Sequence, residues 1–321
     1  MNSTHARNQW IGAISLVVAV AGATCGLAFA RPASSGSTST NSSGGTDPYA
    51  YLPATLTLNG TVRDFMWSTQ TNGGPDFERT PTQGFGHYVG EVADMLDSDG
   101  KPVFASTGYL VSTEATDSSS NQIMPIKKSY INAMTGDKAG KVSTSLGGST
   151  TTAANFATWY RTTPGLNLSK TIPITLVRQL DSNIYSFSDK TDANYAGKGG
   201  FFPIDGDLWG NSPGQSHNFG FTYELDTTFV YKKGTGQSFT FTGDDDVFVF
   251  VDGHLVVDIG GVHVATSQSI SLDRLNWLQD GQTYNLNLFF AERHTTQSNV
   301  RVDTTINLVN APLPATTGLY D

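Results

Sequence analysis

FTFTGDDDVFVFVDGHLVVDIGGVH, residues 239–263, decides the fold. In its opening FTFT, Phe239 and Phe241 alternate with threonine, the period of a strand with one face on a core. VFVFV then runs apolar without a break, meets Asp252-Gly253, and returns as His254 to Asp258. Asp-Gly readily adopts the left-handed backbone of a type I′ turn, so the segment reads as a β-hairpin.

The same period of two extends outward. Phe219, Phe221, Tyr223 and Leu225 share a face in FGFTYEL, and Tyr284, Leu286, Leu288 and Phe290 share one in TYNLNLFF. In NVRVDTTINLV, Val300, Val302, Ile306 and Leu308 alternate with Arg301, Asp303, Thr305 and Asn307, so the opposite faces are expected in solvent. No long stretch repeats every 3.6 residues. Residues 90–96 (GEVADML) and 153–160 (AANFATWY) are predicted as short helices, and 112–122 and 138–152 as polar loops. With only 15% charged residues, 34 glycines and 18 phenylalanines, the composition excludes a helical bundle. The expectation is an all-β protein: an antiparallel β-sandwich with long loop insertions, one domain over residues 51–310.

The ends read differently. Residues 10–30 (WIGAISLVVAVAGATCGLAFA) form an apolar stretch closing on Ala28-Phe29-Ala30, the small-residue pattern that a signal peptidase accepts. Residues 1–30 are read as a cleaved secretory signal; the competing reading is a membrane anchor, for which the many Ala and Gly residues are poorly suited. Removal leaves no stable membrane span and no cysteine, since Cys25 is the sole one. Disulfides and Cys-based zinc or redox motifs are thereby excluded. Residues 31–50 form a Ser/Thr/Gly-rich linker with little apolar surface to bury. In the 311–321 tail, LPATT fails the LPxTG sorting pattern at Thr317, so secretion without covalent anchoring is expected.

The densest chemistry is Asp244-Asp245-Asp246 between two apolar strands. Three adjacent carboxylates repel. Two readings stand open: a hard cation such as Ca²⁺, which takes six to eight oxygen ligands, or a solvated strand cap. Asp97-Ser98-Asp99-Gly100 is no EF-hand, because the fifth position is Lys101 and the twelfth Gly108. His217, His254, His263 and His294 lack zinc spacing and read as hydrogen-bonding residues. GNSPG (210–214) fits the letters of GxSxG but lies in a Gly/Pro/Asn loop, not on a strand-to-helix turn, so no nucleophile elbow is read. Glu292 and the aspartates are the carboxylates a glycosidase would need, at a separation the sequence does not set. A net charge of −9 argues against nucleic acid. Trp209, in the GDLWGNSPGQ loop, is expected to be exposed and able to stack on a sugar, whereas Trp159 and Trp277 are expected in the core.

Residues 239–263 closely resemble the signature of the fibro-slime domain family. So do HNFGFTYEL (217–225), LNLFFAERHTTQSNVRVDTT (286–305), LNGTVRDF (58–65) and GGPDFER (73–79), in the same order. The resemblance covers most of residues 56–309 and implies a PA14-like β-sandwich. PA14-type adhesins bind sugars through Ca²⁺ held by two neighbouring aspartates joined by a cis peptide, with an asparagine from a second loop. Carried across, Asp244 and Asp245 match the pair, and Asn299, in the loop His294 to Asn299, matches the amide. Asp246 stands where many PA14 domains carry glycine. The candidate metal set is therefore Asp244, Asp245, Asp246 and Asn299, with Trp209, His263, Glu292 and His294 as ligand-binding candidates. The resemblance implies a secreted or cell-surface, non-enzymatic, calcium-dependent protein whose partner is a glycan or cell-surface polysaccharide. The alternative is a structural subunit of an extracellular matrix, slime or surface filament. There calcium stabilises the fold or subunit contacts, and the partners are further copies or other matrix proteins.

Overall fold

The computed structural model describes residues 47–311. The expected signal, residues 31–46 of the linker and the tail from residue 312 lie outside the described residues. Strand β1 (Thr55–Phe65) opens the domain. An insertion follows, carrying β2 (Tyr88–Val89), β3 (Tyr109–Thr113), β4 (Ala115–Thr116), β5 (Gln122–Ile123), β6 (Lys141–Leu146) and the single helical turn α1 (Ala153–Phe156). The chain then returns through β7 (Asn167–Arg178), β8 (Tyr185–Ser188), β9 (Phe221–Val230) and β10 (Ser238–Gly243). It continues with β11 (Asp246–Val251), β12 (His254–Ile259), β13 (Thr266–Ser271), β14 (Thr283–Glu292), β15 (Val300–Thr304) and β16 (Val309–Asn310).

One large antiparallel sheet runs β12-β11-β14-β9-β1-β7-β8-β15-β10-β13, with β16 also on β9. It folds over so that its inner face closes on one apolar core. Val62, Ile174, Phe187, Phe221, Phe241, Val249, Leu288 and Val302 all meet there. At the seam between the two terminal strands, the Gln268 side chain replaces a backbone ladder. Its Oε1 accepts from Asp258 N at 2.7 Å, and its Nε2 donates to Asp258 O at 3.3 Å. The all-β class expected from the sequence is what the structure shows. The β11–β12 hairpin turns at Asp252 and Gly253, with φ of 49° and 77°, the left-handed values of a type I′ turn.

The outer faces of β9 and β14, which their alternation places in solvent, depart from expectation, and that of β11 lies beside them. They do not face water. The insertion covers them, and a second core forms from Phe77, Val92, Phe156, Trp159 and Tyr160 against Phe248, Phe250 and Phe289. This is why VFVFV is apolar throughout: valines point to the sandwich interior and phenylalanines to the insertion. On the same outer face Glu224 is buried and paired with Arg63 and Lys101.

Residues 90–96 form no helix. Gly90 has φ of +76°, and Val92 and Met95 make isolated bridges to Phe104 and His254. The segment lies extended against the hairpin, where Val92 is buried. Residues 153–160 supply only the one turn of α1, capped by the Thr152 side chain. The stretches 112–122 and 138–152 contain β4 and β6 as well as loop, because their edges find partners in β5 and β3. Trp159 is a core residue as expected, and Trp277 packs half-buried against the main core.

Candidate functional site

Four strand ends build the site. β10 ends at Gly243, β11 begins at Asp246, and a cis Asp244–Asp245 peptide joins them. β14 ends at Glu292, and the loop 293–299 leads into β15, with a second cis peptide at Thr295–Thr296. Gly243 lies opposite Val300, so the two connections run side by side. The approach is close: a Cβ on Gly243 would stand 2.2 Å from Asn299 O, which only glycine permits.

Asn299 holds Asp244, its backbone N donating to Oδ1 and its Nδ2 donating to Oδ2, the latter at 2.7 Å. Asp245 accepts from His263 N at 3.3 Å and from Arg293 N at 3.2 Å. Both aspartates are buried. Burial pushes each carboxyl above its usual range; for Asp245 the Arg293 charge opposes this while Asp246 and Asp244 add to it. Glu292 lies beneath them, fully buried, with neither oxygen hydrogen-bonded. Burial and the charges of Asp245 and Asp244 push its carboxyl well up. The structure thus gathers three carboxylates and gives one of them no well-formed hydrogen bond, with only the Ser298 hydroxyl and the His294 N–H nearby.

The structure removes Asp246 from the candidate metal set. Its side chain points the other way, into the second core, where it pairs with Arg293; both are fully buried. Arg293 Nη2 donates to Asp246 Oδ1 at 3.1 Å and to Ser149 Oγ at 2.9 Å, and its guanidinium sits 5.3 Å from the Trp159 ring. Burial alone would lower the Arg293 pKa, but Asp246, with Glu91 and Asp245, more than offsets it.

Asp244 and Asp245 open on a cavity of about 180 Å³, also lined by Phe85, His263, Val264, His294 and the loop Thr295–Gln297. The His263 Nδ1–H donates to Val264 O at 2.9 Å, which leaves Nε2 as an unpartnered acceptor. Burial, and then the neighbouring His87, push its pKa down to about 4, so the ring is neutral in ordinary buffers. His294 Nδ1 lies 2.6 Å from Thr295 O. Glu292 does not line the cavity, because it is sealed below the aspartates. Trp209 is not brought to it either. Trp209 is half-buried, its backbone N donating to Asp64 Oδ2 of β1 at 2.8 Å. The sequence reading missed Phe85, Val264 and Arg293. The glycines flanking Phe85 were the available signal for the first.

Among the described residues no three His, Cys, Asp or Glu side chains form a ready metal cluster. A cation here would therefore rely on Asp244, Asp245, the Asn299 amide oxygen and backbone carbonyls. That donor set suits a hard, oxygen-seeking ion. The orphaned Glu292 carboxylate below it is the kind of buried acid that a nearby cation would compensate.

The class these features define is an all-β, PA14-like domain. Residues 203–312 match the family described as PA14 domain. "Protein psiQ" of Dictyostelium discoideum is 39% identical over 166 residues, covering 48% of this chain and 16% of psiQ. "Protein psiD" of the same organism is 38% identical over 161 residues, covering 48% of this chain and 29% of psiD. The chain thus spans well under half the length of these relatives. A crystal structure of the PA14 domain of the MpAFP antifreeze protein is 10% identical, with a TM-score of 0.24, covering 42% of this chain and 79% of that one.

Proposed function

We propose that this chain is an exported, calcium-dependent carbohydrate-binding module of the fibro-slime type. The observation that carries the reading is the buried Asp244–Asp245 pair, held by Asn299, at the floor of a small open cavity. Both carboxylates already accept N–H donors and keep further lone pairs for a cation. Calcium bound there would offer coordination positions to vicinal sugar hydroxyls, which replace water at small cost. The cavity is smaller than the roughly 300 Å³ at which drug-sized sites begin, and it suits one terminal sugar rather than a long chain.

The role is binding, not catalysis. Glu292, the carboxylate the sequence offers for acid–base work, is sealed from the cavity. The matched segment is a PA14 domain.

Asp244→Ala with Asp245→Ala is expected to abolish calcium uptake in titration calorimetry and retention on immobilised glycans. Unchanged retention would sink the reading. A chain that takes up calcium but retains no glycan would shift it to a matrix or filament subunit, for which β6, paired among the described residues with β3 alone, offers a sheet edge.

A further inference from the structure

Phe85 is more than half exposed, at 55%, and Val264 is 78% exposed. Both line the cavity above Asp244 and Asp245. A large apolar side chain gains nothing by standing in water, so two of them flanking one carboxylate pair call for an occupant.

The backbone around Phe85 is fixed. Gly86 N donates to Val262 O at 2.8 Å, and Tyr88 Oη donates to Gly84 O at 2.7 Å. Gly84 has φ of +89°, and a Cβ on Gly86 would stand 2.7 Å from Leu110. These contacts hold the chain down while leaving the ring out. The ring meets His294 in a T-shaped contact at 4.9 Å, and His294 is itself held to Thr295 O. Phe85 is thus an oriented aromatic surface beside the aspartates.

We propose that Phe85, carried by the insertion, is the stacking wall of this cavity and restricts it to neutral terminal pyranoses that present a C–H face beside a vicinal diol. The inference rests on the sugar-site reading above and goes past it to the ligand class. An aromatic face attracts the polarised C–H bonds of a sugar ring while the aspartate side engages its hydroxyls. The charge around the cavity excludes acidic sugars. Among the described residues no lysine or arginine lines it. Arg293 is buried and engaged with Asp246. Glu78 stands at the rim, accepting from Thr295 N and Oγ1, both at 3.0 Å. With the calcium charge already cancelled by Asp244 and Asp245, an anionic sugar would meet the Glu78 carboxylate at the rim and find no lysine or arginine to pair with. Phe85 also lies outside residues 203–312, so this selectivity belongs to the insertion and not to the matched domain.

The test uses the full chain in calcium, titrated with the methyl glycosides of mannose, galactose and glucose and with sialyllactose. The wild type is expected to bind at least one neutral glycoside and to bind sialyllactose more weakly. Phe85→Ala should weaken the neutral glycoside about three- to tenfold, the range of an aromatic contact, with calcium affinity unchanged. Phe85→Trp should restore it. A wild type that binds a neutral glycoside while Phe85→Ala binds it equally overturns the inference alone, as does preference for sialyllactose. A wild type that binds no glycoside overturns the sugar-site reading and this inference with it.

Discussion

Arg293 has no exposed surface; Asp246 is its ion-pair partner, and the buried carboxylates of Glu91 and Asp245 add to the balance of its charge. Its remaining N–H groups reach the carbonyls of Asp76 and Ser149 and the Ser149 hydroxyl. Removing one half of such a pair leaves the other buried and uncompensated, at a cost of about 3–5 kcal/mol. Arg293→Met is therefore expected to lower urea stability by that order, and adding Asp246→Leu to recover much of it. A single variant as stable as wild type would contradict the pairing. The direction of Asp246 was legible in the sequence by parity. Positions 246, 248 and 250 share one strand face, and 247, 249 and 251 share the other. The phenylalanines at 248 and 250 belong to the second core, so Asp246 belongs there too. Adjacency in the triplet hides this, because three neighbouring carboxylates look like one charge cluster whichever face each takes. Glu292 has the parity of Phe290 and so lies under the aspartates. What the sequence could not show is that the strand end is roofed, which turns a solvent-facing acid into a buried one.

Among the elements, those that alternate were readable: β9, β10, β14 and β15 lie where period two placed them. The insertion was not, because its strands are as short as two residues and its apolar side chains are spaced to meet another surface rather than one another. That surface is the outer side of β11 and β14; on β14 its period of two with Asn285 and Asn287 points to solvent instead. The insertion also carries an electrostatic clamp. Arg274, in the 3₁₀ turn after β13, grips Asp137 with two hydrogen bonds of 2.7 and 2.8 Å. These bonds hold the Asp137 carboxyl down to about 2, against 3.8 for a free aspartate. A depressed folded-state value means that the clamp adds stability above about pH 4 and loses it as the pH falls through about 2. The melting temperature of Asp137→Asn is expected to lie below wild type at pH 7 and to converge on it by pH 2. Parallel curves over that window would show that the clamp carries no native-state proton linkage.

For the whole molecule, the question is what a domain without a cysteine outside the expected signal rests on. The main core is closed by hydrophobic burial, yet three acids crowd one end of it. Two linked costs meet there: carboxylates removed from water, and mutual repulsion between Asp244, Asp245 and Glu292. A cation that binds only the folded chain stabilises it by RT ln(1 + [L]/Kd), about 2.7 kcal/mol at a concentration one hundred times Kd. For a domain of this size, each kcal/mol moves the melting temperature by about 2–4 °C, so saturating calcium should raise it by about 5–10 °C over EGTA. Magnesium, which demands a tighter octahedron and sheds its water reluctantly, should do less. The Asp244→Ala, Asp245→Ala chain should melt at one temperature in calcium and EGTA alike, because the donors are gone. Arg293→Met separates this from a general loss of order: it should melt lower throughout and still shift with calcium, since the backbone N–H to Asp245 remains and the positive charge that is lost stabilises the ionised Asp245 without binding the ion itself. Equal melting of the wild type in calcium and EGTA would leave the three acids to be neutralised by protons, and the cavity would then lack the ion on which its reading as a sugar site depends.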